Sequence, residues 1–445
     1  MRTSEIPIIL DSPTGVEPPV DRPADRPAER PRSRGGMLLL AAGLILIGLN
    51  LRIGVASIGP VLGEIRDGLG LSTTAAGLLT TIPVFAFGAF AFLAPALTRR
   101  LGMHRLLGIT MLVLAAGILL RLHPSLAGLF AGTVLVGAAI AVGNVLMPPA
   151  IKQDFSHRTG LMMGLYSTAL FVGAAAASGL TVPLLPLVGG DWRAALAVWA
   201  APAVLAAVVW IPQMRRSPGR LRSGAGVADA PAETGEPPFR AILGDPIAIA
   251  VTALMGLQSA VYYTSLTWVP TILQDAGIGA GTAGWLFAFS AFPGILASLV
   301  VPVLARRIRP AWLPVALAVA LLAAATIGLA AAPAAAPILW MTLLGLGQGA
   351  SISLSLAYIV LRSPDAHHTG HLSTMAQGFG YLIAGLAPIG FGALHALSGE
   401  WVLPLAVLGL LLVLQLGAGI VASRPGHIRA RVAEPPAPTP GCAAQ

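Results

Sequence analysis

The chain has 445 residues, 56% hydrophobic and only 10% charged, with a mean hydropathy of +0.82, whereas soluble domains carry about 25% charged residues. That balance excludes a water-soluble globular protein and points to a polytopic membrane protein. The net charge of +9 is almost wholly arginine, and its distribution reports orientation in a bilayer and not nucleic-acid binding.

The first 36 residues, with "DRPADRPAERPRSR", are too poor in apolar side chains to bury a core and predict a disordered tail. A cleavable signal peptide is not expected, because the apolar run from Met37 to Val61 is longer than the roughly 7–15 residues of a signal core. With roughly 20 residues needed per crossing, twelve apolar segments follow. In the first half they cover about 37 to 61, 72 to 97, 103 to 121, 127 to 150, 159 to 187 and 194 to 213. In the second half they cover about 247 to 271, 281 to 305, 312 to 331, 336 to 361, 370 to 396 and 402 to 422. All should be helices, since lipid offers backbone groups no partner; the absence of two-residue alternation excludes a barrel.

The expected organisation is a cytoplasmic tail over 1–36, a six-helix bundle over 37–214, a Pro/Gly/Arg-rich cytoplasmic linker over 215–246, a second bundle over 247–423 and a disordered cytoplasmic tail over 424–445. Of the 27 Lys and Arg residues, all but Arg52, Arg66, Arg121 and Arg193 fall in the termini and in the loops on their side. The positive-inside rule therefore places both termini in the cytoplasm of a multi-pass protein of the inner (cytoplasmic) membrane. Arg66, Arg121 and Arg193 are assigned to outer loops. The single cysteine, Cys442, permits neither an internal disulfide nor a thiolate-rich metal site.

The halves repeat. Ala76 to Leu79, "AGLL", recurs as "AGWL" at Ala283 to Leu286, Pro95 as Pro302, and Arg99-Arg100 as Arg306-Arg307, all at an offset of 207. An offset of 210 pairs Pro60 with Pro270, Lys152 with Arg362, and Thr159-Gly160 with Thr369-Gly370. Two six-span units that both begin inside are parallel repeats, an arrangement in which a substrate site lies near the midplane between halves and access alternates by rocking. Gly/Ala-rich stretches such as "VGAAAASGL" in the fifth segment allow close approach or sliding of helices. The basic loops holding Arg99, Arg100, Arg306 and Arg307 are gating candidates, although orientation alone also accounts for them.

Within "GLNLRIG", residues 48 to 54, Arg52 lies about 22 Å along a helix starting at Met37, too deep to reach the interface easily. An arginine there costs between about 2.5 and more than 10 kcal/mol unless a cavity or partner receives it. No segment core holds a carboxylate: Glu64, Asp67, Asp154, Asp275 and Glu400 fall at segment ends or in loops. Two readings stand, an aqueous cavity where Arg52 meets an anionic or electronegative solute, or a structural contact to helix-end carbonyls. The planar fork suits a carboxylate or similar oxyanion. Asn50, about 200° around the helix, braces a neighbouring span instead. The repeat places Tyr262 opposite Arg52, with Gln258 one turn earlier. Gln348, Ser351 and Ser355 share one face, as do Ser373, Gln377 and Tyr381, and Asn144 precedes Pro148-Pro149; each lines a cavity or bonds a neighbouring helix.

His367 and His371 in "DAHHTGH" have one-turn spacing, but a solvated loop explains them and no metal is expected. No phosphate cradle, nucleophile-base pair or carboxylate dyad occurs, so neither an enzyme nor a cofactor is expected.

The segments "LNLRIGVASIGPVLGEI", "AGLLTTIPVFAFG", "GNVLMPPAIKQDF", "GLYSTALFVGAAAASGLTVPL", "GLQSAVYYTSLTWVPTILQDAGI" and "LSTMAQGFGYLIAGLAPIGFGALHALSG" resemble the cyanate/2-nitroimidazole (CynX/NimT) permeases of the major facilitator superfamily. The likeness spans about residues 40 to 420 and implies a monomeric inner-membrane permease for small anionic or nitro-substituted solutes, working by alternating access. "TRRLGMHR" lacks the acidic residue of the superfamily's gating loop, so the loop roles do not transfer directly. Moving an anion inward against 100 mV costs about 2.3 kcal/mol; without cotransported protons the expected direction is export of anions or equilibration of neutral solutes. Competing expectations are an exporter of hydrophobic drugs, or a transporter-like sensor, which the short tails disfavour.

Overall fold

A computed structural model describes residues 34–71, 73–216, 242–305 and 307–428. The expected N-terminal tail and nearly all of the C-terminal one, most of the linker, and Arg306 lie outside the described residues.

Among the described residues the regular structure is helical, with no strand. In chain order the crossings are α1 (Arg34–Ala56), α2 (Thr73–Ala91 and Ala94–Leu101), α3 (Met103–Leu120), α4 (Leu126–Asp154), α5 (Thr159–Leu184) and α6 (Trp192–Val198 and Ala200–Arg216). The second set is α7 (Pro246–Asp275), α8 (Ala280–Phe289 and Ala291–Leu304), α9 (Leu313–Ala331), α10 (Pro337–Leu361), α11 (Ala366–Ser398) and α12 (Val402–Ala422). Eleven are long and apolar enough to span a bilayer as they stand, and α2, bent by 58° at its break, makes the twelfth. The bend falls where Pro95 enters the first turn of the second piece without an N–H for the preceding ladder.

Boundaries shift from expectation at two places. The first apolar run stops at Ala56, and Leu62–Leu69 forms a separate short helix capped by Gly70 at φ 58°. Its Ile65 joins Ile58, Val61, Leu79, Leu129, Trp192 and Leu196 in a small apolar cluster. The "DAHHTGH" segment is likewise no loop: Asp365 accepts the His368 N–H at 2.8 Å and caps α11, so the histidines occupy its first turns. Partial burial pushes the Asp365 carboxyl up, but hydrogen bonds from the His368 backbone and ring outweigh it and hold the group below the usual carboxylate range.

The internal repeat is visible in the packing. In the first half α1 packs on α5 and α6, α2 on α4, and α3 on α4 and α6; in the second, α7 packs on α11 and α12, α8 on α10, and α9 on α10 and α12. The halves meet along α2 with α11 and α5 with α8, and α4 additionally meets α10 and α11.

Small residues set how near these helices come. A Cβ at Gly173 in α5 would lie 2.2 Å from the Leu49 carbonyl oxygen and 3.1 Å from its Cα, so α1 and α5 touch backbone to backbone. Because neither side of that contact can rotate away, Gly173→Ala should cost about 1–3 kcal/mol through overpacking, read as a lower thermal midpoint in detergent. Gly179→Ala on the same helix, where an added Cβ meets nothing within 4 Å, should leave the midpoint unchanged.

Candidate functional site

The "GLNLRIG" stretch serves a different contact at almost every position. Gly48 faces the Tyr166 ring, where an added Cβ would sit 3.0 Å from Cδ2. Leu49 presents backbone to Gly173, and Leu51 packs against Gly143. Asn50 is fully buried, and its Nδ2 donates to Leu46 O at 2.8 Å and to Pro202 O of α6 at 3.1 Å. Two residues on, Arg52 turns away from α6 towards α7 in the other half.

Arg52 is 8% exposed. Its Nη1 donates to the Tyr263 hydroxyl at 2.7 Å, and the guanidinium carbon lies 5.8 Å from the centroid of the Tyr262 ring. No carboxylate pairs with it among the described residues. Aromatic rings surround the group instead: Tyr262 and Tyr263 stand edge to face at 5.2 Å, Tyr263 and Tyr381 at 6.5 Å, Phe87 and Tyr381 at 5.3 Å, and Phe171 and Tyr262 at 6.5 Å. Ring faces and phenolic oxygens both present negative potential, so the cage favours a cation without discharging it. A narrow pocket lies beside the guanidinium, lined by Arg52, Leu170, Phe171, Tyr262 and Ile352 from α1, α5, α7 and α10.

The other residues singled out from sequence divide. Tyr262 lines the cavity and Tyr381 packs in the cage. Gln258 is 3% exposed and turns its amide back onto Met255 O and Ser259 Oγ of its own helix. Gln348 is buried off the cavity lining, while Ser351 accepts from Gln415 of α12 at 3.0 Å. Asn144 and Gln377 meet in the seam between halves, where Gln377 Nε2 donates to Asn144 O at 2.8 Å and to Ser373 Oγ at 2.9 Å. Arg99, Arg100 and Arg307 are exposed. Tyr263, Phe171, Leu170 and Ile352 were not anticipated; the adjacent tyrosines of "VYYTS" were the available signal for Tyr263, since either could meet a group opposite.

Two further charges are buried, the first of them against expectation. Arg121, assigned to an outer loop, is 1% exposed and donates to Gly54 O at 2.7 Å. The Asp154 side chain, at the end of α4, is 2% exposed and lies 3.7 Å from His104 Nε2.

Comparison with known proteins agrees with this architecture. Residues 38–388 match the model of the Major Facilitator Superfamily. The chain belongs to that superfamily. It is 38% identical over 390 residues to the uncharacterized transporter YycB of Bacillus subtilis (strain 168), covering 87% of this chain and 94% of the relative. It is 35% identical over 392 residues to the 2-nitroimidazole transporter of Escherichia coli (strain K12), covering 88% and 97%. With the cyanate transport protein CynX of the same strain it shares 33% over 377 residues, covering 83% and 94%. The solved proton:xylose symporter XylE has the same fold, with a TM-score of 0.65 at 15% identity, over 87% of this chain and 94% of that one. The chain is thus a small-solute secondary transporter and not an enzyme.

For such a transporter, the placement of hydrogen bonds across the seam matters. Those among the described residues lie at the level of Arg52 or nearer the end that holds the start of α1 and the end of α12. Thr168 and Ser298 hydroxyls meet at 3.1 Å, Ser373 Oγ donates to Val145 O at 2.8 Å, and Gln377 bonds Asn144. Lys152 Nζ donates to Val360 O at 2.9 Å and to Ser363 O, carbonyls at the C-terminal end of α10, where partial negative charge accumulates. Its repeat partner Arg362 instead donates to Ala422 O and Ser423 O within its own half. The described state is therefore closed at the terminus-bearing end, with Lys152 as a charged clasp. Because a hydrogen bond from a charged donor contributes about 1.5–3 kcal/mol, Lys152→Met should enrich forms open at this end roughly tenfold or more. Spin labels at the exposed positions Gln153 and His367, in a Cys442→Ser background, should report a longer distance distribution; an unchanged distribution would remove the clasp.

Proposed function

We propose that the chain carries small anionic or nitro-substituted solutes, with cyanate and 2-nitroimidazole as the type cases, and that Arg52 binds them, a nitro group or carboxylate through two N–H donors and the linear cyanate through charge and one donor at each end. The observation that carries this reading is a buried guanidinium that borders a cavity, held by the hydroxyls of Tyr263 and Tyr381 and matched by no carboxylate among the described residues. Its remaining donors form a fork suited to two coplanar oxygens, the geometry shared by carboxylates and nitro groups. The aromatic walls of Tyr262 and Phe171 suit a flat conjugated solute by stacking. The space beside the guanidinium in the described state is narrow, which favours solutes of a few heavy atoms over bulky hydrophobic drugs. The names of the nitroimidazole and cyanate relatives point the same way.

The proposed setting is the inner membrane with both termini cytoplasmic, on the arginine asymmetry, and the proposed functional unit is a monomer. The described state is then closed on the cytoplasmic side. Uncoupled transport of a monoanion runs outward with the membrane potential, at about 2.3 kcal/mol per 100 mV. Accumulation of an anion against that potential needs a proton brought on the solute or on water at Arg52.

Proteoliposomes at fixed pH and potential, offered cyanate, 2-nitroimidazole and small carboxylates, test the assignment. The parent should transport at least one of them saturably. Arg52→Gln should lower the apparent affinity at least thirtyfold, and Arg52→Lys about five- to tenfold, because an ammonium keeps the charge and loses the fork. Transport of hydrophobic drugs that survives Arg52→Ala would establish the exporter reading in its place.

A further inference from the structure

Arg121 is the second guanidinium buried in the first half, and the solute site does not use it. It follows the last residue of α3 as its C-terminal cap and folds beneath the end of α1. There the backbone ladder tightens. Ser57 N–H donates to Ile53 O at 3.2 Å and Ile58 N–H to Val55 O at 3.3 Å, so the carbonyl of Gly54 is passed over. Arg121 Nη1 takes that carbonyl at 2.7 Å, supplying a cation where a helix C-terminus leaves unpaired oxygens and partial negative charge.

Two glycines make the contact possible. An added Cβ at Gly54 would lie 3.0 Å from both Leu114 of α3 and Val136 of α4, so the end of α1 sits hard against that pair. A Cβ at Gly132 would lie 2.9 Å from Arg121 Cγ and from its backbone nitrogen, so only a residue without one leaves the side chain its path. Arg121 Nε and Nη2 hold no hydrogen bond among the described residues. The group is thus fixed by one carbonyl, and that carbonyl belongs to the residue two positions after Arg52. On the opposite side of α1, the Arg52 bond to Tyr263 at 2.7 Å tolerates only a few tenths of an ångström of helix displacement before it lengthens out of range.

We propose that Arg121 is a positioning residue for Arg52: by tying the last turn of α1 to α3 and α4, it sets the height and rotation at which the Arg52 fork meets the cavity. This rests on the reading of Arg52 as the solute contact. Recognition groups must be held within about 0.5 Å of their working geometry, so loosening this tie acts on affinity through Arg52 and on nothing else in the site.

A double-mutant cycle decides the matter. Uptake of cyanate and of 2-nitroimidazole is measured in proteoliposomes for the parent, Arg121→Gln, Arg52→Lys and the double variant. Arg121→Gln should raise KM about tenfold with the maximal rate held within twofold. In the Arg52→Lys background the same change should move KM less than twofold. An equal factor in both backgrounds, or a lowered maximal rate at unchanged KM, would overturn the proposal, because each describes a residue acting independently of Arg52. Arg121→Lys, which keeps a charged donor for Gly54 O, should restore most of the affinity, and it replaces the glutamine variant if that one aggregates. Failure of both variants to fold also overturns the positioning role in favour of a purely structural one. If Arg52→Lys alone leaves KM at the parent value, the solute-contact reading itself has failed, an outcome separate from additivity in the cycle.

Discussion

Much of this molecule is arranged around one unneutralised guanidinium at the contact of two helical halves. A carboxylate beside Arg52 would settle its charge more cheaply in isolation, since an opposed charge offsets much of the desolvation cost. It would also occupy the fork. Tyrosine hydroxyls and ring faces solve the problem differently. They hold the cation through dipoles and quadrupoles, which are individually weaker, and leave net positive potential in place. Three of the five tyrosines in the chain, Tyr262, Tyr263 and Tyr381, are placed in this cage. In the role proposed for Arg52, the cost of burial is thereby kept low enough for folding and high enough that an anion relieves it.

The remainder of the first half secures the geometry. Asn50 ties α1 to α6 through Pro202 O, Gly173 lets α5 lie against the backbone of Leu49, and Arg121 holds the carbonyl of Gly54. Three different helices thus fix α1 within six residues of sequence. The seam between halves is built on another principle. Its hydrogen bonds run mostly from side chains to carbonyls, as in Ser373 to Val145, Gln377 to Asn144 and Lys152 to Val360. Carbonyls at a helix end, or four residues before Pro148 and Pro149 where the helix offers no N–H, exchange readily for water, as side-chain amides do for neighbouring acceptors, so such a seam parts at lower cost than an interdigitated apolar one. The first half is rigid around the proposed recognition group, and the seam is built from contacts that break at low cost.

Sequence reasoning recovered what periodicity and composition encode. Twelve crossings, the parallel repeat and the singular position of Arg52 follow from hydropathy, offsets and the cost of charge in lipid. The choice between Tyr262 and Tyr263 did not, because an offset of 210 fixes position along the axis only to within a residue while each step rotates a side chain by about 100°. Tyr262 lines the cavity and Tyr263 takes the hydrogen bond. The depth of Arg121 was hidden for a related reason: a residue directly after an apolar run reads as a loop, and Gly132, which leaves room for its side chain, and Gly54, which lets α1 approach Leu114 and Val136, are far apart in sequence. Gln258 shows the opposite failure. It shares a face with Tyr262, yet its amide finds Ser259 and Met255 on its own helix, a local satisfaction that a helical wheel does not register.

The divergence between Lys152 and Arg362 shows how a duplicated architecture acquires direction. The two positions are equivalent in the repeat, and each supplies a cation to carbonyls at the end of a helix. Arg362 reaches α12 within its own half, where its several donors engage Ala422 and Ser423 together. Such a multidentate contact suits a bond meant to persist. Lys152 crosses to α10 with a single ammonium on a flexible stem. A point charge on a long tether can leave its carbonyls and be rehydrated without a fixed geometry to rebuild, which suits a contact made and broken in each cycle. The one lysine in a chain that otherwise uses arginine thus stands where the chemistry of lysine, and not merely its charge, is required.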